Sequence, residues 1–147
     1  MRSTFTTAII IAVLILAIPG KANSPLAQKP YRTLQHAPVD PAPYKAELRA
    51  IALAKGLPEA KIIEIEQTIG GVPGNEVCPN GESGWYDKAV GDNGHSLGMV
   101  QINLPSHPNV TREQALDATF SLNFIVDAWL NNDMWMWTCW KALPEKL

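Results

Sequence analysis

The sequence predicts a mainly α fold of the α+β class, a small helical domain with one short β-hairpin. Three observations carry this expectation. Between Tyr44 and Gly71 two apolar stripes recur at helical spacing, each closed by glycine. Asn93-Gly94 then sits between two short strand-like runs, and a capping signal at Thr111 leads into a segment that is apolar on most helical faces.

In "PYKAELRAIALAKG" the residues Tyr44, Leu48, Ile51 and Ala52 share a face, and Gly56 stands where a helix turns into the left-handed conformation and ends. In "LPEAKIIEIEQTIGG", Pro58 suits a first helical turn, Glu59 complements its dipole, Ile62, Ile65 and Ile69 form a stripe, and Gly70-Gly71 stop it. "GGVPGNEVCPNGES" is dense in Gly, Pro and Asn and predicts an irregular loop that includes Cys78. The runs "KAV" and "LGMVQI" flank the Asn93-Gly94 turn. Strand alternation in the second run predicts Met99 and Gln101 on one face, with Val100 and Ile102 on the other and facing the core. "TREQ", Thr111 to Gln114, has the capping-box form, and a second start at Asp117 leads into Phe120, Phe124, Ile125, Ala128 and Trp129, a helix expected at the centre of the core. No internal repeat is visible.

The first residues have the order of a secretory signal: Arg2, an apolar run from Ala8 to Pro19, then Gly20-Lys21-Ala22 as a small-x-small cleavage site. That run of about 12 residues is shorter than the roughly 20 that span a bilayer, so residues 1–22 are expected to be a signal peptide cleaved after Ala22, with a retained membrane anchor as the alternative. Residues 23–43 carry Pro25, Pro30, Pro38, Pro41 and Pro43 among polar neighbours, a composition suited to a linker rather than a core. Residues 44–147 are then the folded domain, placed in the secreted, periplasmic or cell-wall space and expected to be a monomer. Twelve basic residues face fourteen acidic ones in the full chain, and loss of Arg2 and Lys21 would leave ten against fourteen, a charge of −4. With no basic patch or aromatic-basic interleaving, nucleic acid is excluded as the expected partner.

In an exported chain Cys78 and Cys139 can form one disulfide; two buried thiols or a metal pair are the alternatives. The two cysteines with His36, His95 and His107 show no zinc spacing, so neither metal nor cofactor is expected.

Glu82 raises the functional question. It lies between Gly81 and Ser83-Gly84, ahead of Trp85 and Tyr86, and the turn behind it can fold Ser96 to Gln101 back over it. Desolvation by aromatic rings raises a carboxyl's proton affinity toward the range useful to a general acid; a solvated turn glutamate is the plain alternative. "GESG" lacks the G-x-S-x-G spacing, so Ser83 is not expected to be a nucleophile. Asp87 and Asp92 each fit as turn residues or as a second carboxylate, and His95 reads as a loop side chain. Among Trp129, Trp135, Trp137 and Trp140, a cluster that suits a core, Trp135 and Trp137 are the better sugar-stacking candidates. "NVT" at Asn109 is a glycosylation sequon if the host modifies exported proteins.

The segments "ESGWYDKAV", "GHSLGMVQINL", "ALDATFSLNFIVDAW" and "WMWTCW", in this order from Tyr44 to Leu143, resemble the lysozyme-like fold of the soluble lytic transglycosylase and goose-type lysozyme families. The resemblance implies a cleft for peptidoglycan glycan strands, lined by the hairpin, with Glu82 as catalytic acid and Ser83 as its supporting hydroxyl. Ser83, Ser96, Gly98, Gln101, Asn123, Trp135 and Trp137 are then the expected substrate-binding residues. It also implies that the segments around Cys78 and Cys139 meet, so the two are expected to be joined. The implied reaction cleaves the β-1,4 bond between N-acetylmuramic acid and N-acetylglucosamine, by water or by the muramyl 6-hydroxyl. One departure stands out: in similar proteins the Glu-Ser pair ends a continuous helix with a cysteine close before it, whereas here a Gly/Pro-rich segment separates Ile69 from Glu82. The acid is therefore expected on a loop pinned by the disulfide. A glycan-binding domain that lost its catalytic geometry, and behind it a purely structural exported domain, are the competing readings, and Glu66 and Glu76 are the next carboxylates should Glu82 fail.

Overall fold

A computed structural model describes residues 39–144, which lie within the chain's second unit, Thr33–Leu147. The expected signal peptide and most of the expected linker fall outside the described residues. Helix α1 spans Ala42–Ala54, so it starts inside the stretch expected as linker, with Pro43 in its first turn. Proline is tolerated there because the first N–H groups of a helix have no intrahelical partner. Leu48 and Ala52 are buried and Tyr44 and Ile51 pack beside them, the face that the spacing marked out. The helix ends in a Schellman motif: Gly56, at φ 79°, donates to Leu53 O and Leu57 donates to Ala52 O at 2.9 Å, while Leu57 folds back into the core.

Helix α2, Glu59–Gly70, begins after extended Pro58 and stops at Gly71, whose φ of 82° breaks the spiral. Ile62, Ile65 and Ile69 are fully buried as expected, and Glu64 and Thr68 are buried with them. The hairpin signal is borne out: β1 (Val90–Gly91) pairs antiparallel with β2 (Ser96–Leu97), Val90 opposite Leu97, across a turn in which Asp92, Asn93 and Gly94 all have positive φ. A third strand, β3 (Ile102–Asn103), pairs antiparallel with β2, Leu97 opposite Ile102, to give the order β1-β2-β3.

The sequence missed the break between β2 and β3. Gly98 to Gln101 are a tight turn closed by Gln101 N–H on Gly98 O at 3.1 Å. Side chains in such a turn do not alternate, so Met99 and Val100 are both fully buried and Gln101, at φ 53°, points elsewhere. The expected alternation of Met99 with Gln101 is thus corrected.

The capping box of α3 (Arg112–Ala115) is complete, with Thr111 Oγ1 accepting from Gln114 N–H and Thr111 N–H donating back to Gln114 Oε1. Asp117 caps α4 (Ala118–Leu130), accepting from Phe120 N–H at 2.7 Å. Leu122, Ile125 and Val126 of α4 are fully buried, and α1 and α2 pack against it. The result is a small, mostly helical domain with a three-stranded antiparallel sheet. Among the described residues no helix is long and apolar enough to cross a membrane.

Candidate functional site

Glu82 follows a ten-residue excursion, yet it sits against the end of α2. Its N–H donates to Thr68 O at 2.9 Å, and Ser83 N–H and Gly84 N–H both donate to Ile69 O, so the chain re-enters the hydrogen-bond positions that a longer α2 would have filled with residues 72 and 73. Gly71 and Gly81 make this neck. A Cβ on Gly81 would stand 2.4 Å from Ile69 O, and one on Gly71 would stand 2.4 Å from Pro79 O. Both have positive φ. The Gly/Pro-rich segment is therefore looped out, and the Glu-Ser pair regains a helix-end position by hydrogen bonding instead of by continuity.

The loop is tied down at its far side. Cys78 and Cys139 are joined, with their Cα atoms 5.5 Å apart, and Asn75 Nδ2 donates to Ala142 O at 2.8 Å. Cys139 belongs to α5 (Thr138–Lys141), a single helical turn that has no side-chain cap from its own N-terminal residue. Glu82 fills that role from across the fold, one carboxylate oxygen accepting from Cys139 N–H at 2.8 Å. Burial holds the Glu82 carboxyl above the usual carboxylate range, and the charge of Asp92 raises it further, while the Cys139 and Thr138 backbone N–H groups and Lys141 pull it down. Burial wins. Trp85, three residues on, is buried on the flank of α2 against Gly70, where a Cβ would meet its indole nitrogen at 2.2 Å.

Ser83 is buried and its Oγ donates to Met99 O at 2.6 Å, which fastens the acid's neighbour to the turn between β2 and β3. Gln101 donates to Gly98 O at 2.9 Å, and its amide oxygen lies over Gly91, where a Cβ would stand 2.1 Å from it. Gly98, at φ 76°, packs on the backbone, since a Cβ there would lie 1.7 Å from Ala115 O. Ser96 is buried, donating to Asp92 Oδ2 and accepting from Asn103 Nδ2 at 3.3 Å. Asn123 is half-buried and donates to Thr119 O, one turn earlier on α4.

Trp137 corrects an expectation. It is buried, its indole N–H donates to Val100 O at 2.7 Å, and its ring packs on Trp129 with centroids 5.3 Å apart, so it belongs to the core and offers no platform for a sugar. Trp135, in contrast, is 59% exposed. Of the two acids near Glu82 in sequence, Asp92 is the one whose charge reaches it, whereas Asp87 pairs with Lys88 at 3.0 Å. Glu66 is neutralised by Arg49 at 2.8 Å and Lys45 at 3.6 Å, and Glu76 is exposed. A groove of about 230 Å³ on the flank of α2 is lined by Lys45, Glu66, Gln67, Gly70, Gly71 and Trp85, and Glu82 is not among its walls.

The sequence reading missed Glu64. It is fully buried, with Lys61 Nζ 2.7 Å from one carboxylate oxygen and the indole N–H groups of Trp129 and Trp140 donating to the other. Its position beside Thr68, one turn on, at the edge of the isoleucine stripe was the available signal. No group of three or more His, Cys, Asp or Glu suited to a metal ion occurs among the described residues. Family models, curated proteins and solved structures contain no match to this chain.

Proposed function

We propose that the protein is an exported murein-cleaving glycosidase that acts on the β-1,4 bond between N-acetylmuramic acid and N-acetylglucosamine, with Glu82 as general acid and then base. The observation that carries this reading is the carboxyl itself: half-buried, fixed by Cys139 N–H at 2.8 Å and held above the ordinary carboxylate range by burial. A carboxyl whose proton affinity is raised by burial is suited to give its proton to a glycosidic oxygen and, once ionised, to take one from the attacking hydroxyl. Gln101, Asn123 and Trp135 retain accessible surface and are the proposed glycan contacts; the disulfide suits an oxidising space outside the cytoplasm. Asp92 would serve either as base toward water or, if the muramyl 6-hydroxyl attacks, only as a charge that adds to the upward shift burial gives Glu82.

The Glu82–Cys139 bond also favours a second reading. A carboxylate that caps α5 has a structural task, and a domain of this shape that bound glycan without cutting it would use Glu82 in that way. Digestion of a murein suspension by the full chain tests the two. Clearing with anhydromuramyl ends supports the intramolecular route, clearing with hydrated reducing ends supports hydrolysis, and murein binding without clearing supports the second reading.

A further inference from the structure

Glu64 takes no part in the proposed chemistry, yet a buried charge is costly: the effective penalty is several kcal/mol per ion unless partners compensate, and an apolar residue of similar volume often serves stability as well. Its partners explain the placement better than packing does. One carboxylate oxygen meets Lys61 Nζ at 2.7 Å, and the other accepts from Trp129 Nε1 at 3.3 Å and Trp140 Nε1 at 3.4 Å. Trp129 lies near the end of α4, whereas Trp140 lies in α5, next to the residue whose N–H holds Glu82. A single turn of helix does not hold itself together, because its nucleation is unfavourable in isolation. The direction of α5 is set from outside, by the Cys78–Cys139 bond, by Asn75 on Ala142 O and by Glu64 on Trp140. The same α2 segment carries both ends of this link, since Thr68, one turn after Glu64, accepts the Glu82 N–H.

We propose that Glu64 is a positioning residue for the acid site: by holding the Trp140 indole it fixes α5 so that Cys139 N–H is aimed at the Glu82 carboxylate. Its consequence for cleavage rests on the reading of Glu82 as the acid; the geometric link does not. The test is a pH titration by NMR of the isotopically labelled, unreduced full chain, following the Cys139 amide proton and the Glu82 side-chain carboxyl carbon. In the unmodified chain the Cys139 amide shifts as Glu82 titrates. Glu64→Leu should cut that shift to half or less and move the Glu82 midpoint upward, because a donor that lowers it is withdrawn. Trp140→Phe, which deletes the indole N–H and leaves Glu64 with Lys61 and Trp129, should do the same and serves if Glu64→Leu does not fold. An unchanged Cys139 titration in Trp140→Phe overturns the proposal. Because this readout needs no turnover, an inactive wild type would count against the glycosidase reading alone, and an active enzyme with an unmoved titration would count against the positioning role alone.

Discussion

Gly81→Ala should be among the most damaging small substitutions in the chain, and Gly74→Ala supplies its control. Both glycines have positive φ, 62° and 82°, so each alanine carries about 1 kcal/mol for entering the left-handed region. At Gly74 a Cβ meets nothing within 4 Å, and the cost should stop there. At Gly81 the Cβ would lie 2.4 Å from Ile69 O and 2.5 Å from Gly71 N, both backbone atoms inside the neck, so the neck must open. Opening it strains the bonds from Glu82, Ser83 and Gly84 N–H to the end of α2. At about 1 kcal/mol each, loss of two or three of them brings the total to about 3–4 kcal/mol. Urea denaturation of the two variants and wild type, analysed at a common slope, measures the difference. A Gly81→Ala cost no larger than that of Gly74→Ala would refute the idea that the excursion is clamped at a neck.

Further outcomes follow from the same contacts. Breaking the Cys78–Cys139 bond, which spans 61 residues, should cost about 4 kcal/mol in the chain-entropy model, and paired urea titrations with and without reductant check it; coincident midpoints would contradict it. A glutamate whose folded value is raised contributes stability that is fully present below its unfolded value and is lost as pH climbs through the folded one. For Glu82 the loss should therefore begin near its ordinary value of 4.5 and finish above the raised native midpoint, so Glu82→Gln should gain on wild type in Tm across that window. Thermal scans from pH 4 to pH 8 measure this, and parallel curves would contradict the burial argument.

Much of the scaffold was legible because local rules acted alone. The Gly56 and Gly71 terminators, the Thr111 capping box, the Asp117 cap and the Asn93-Gly94 turn each depend on backbone chemistry within a few residues, and each occurs where the sequence placed it. Gly98 to Gln101 did not follow a local rule. An apolar run can be read as a strand, but Gly98 is needed for the approach of Ala115 O, a contact made with a distant segment, and that contact turns the run into a corner. The burial of Trp137 has the same kind of cause, since its partner is Val100 O, 37 residues away. Glu82 was legible as a singular carboxylate from its glycine and aromatic neighbours; its return to the end of α2 and its bond to Cys139 depend on loop closure that no local pattern displays. Glu64 was hidden by the same rule that exposed the isoleucines, because a charge beside an apolar stripe reads as solvated until its tryptophan partners are in place.

The proposed role of the Glu82 carboxyl as source of the proton for glycosidic cleavage is tested by the rate at which purified wild type and Glu82→Gln clear the same murein suspension. Glutamine keeps an oxygen to accept the Cys139 N–H but has no acidic proton, so folding and murein binding should persist while clearing falls by about 10²-fold or more. Clearing by Glu82→Gln at the wild-type rate would contradict the claim.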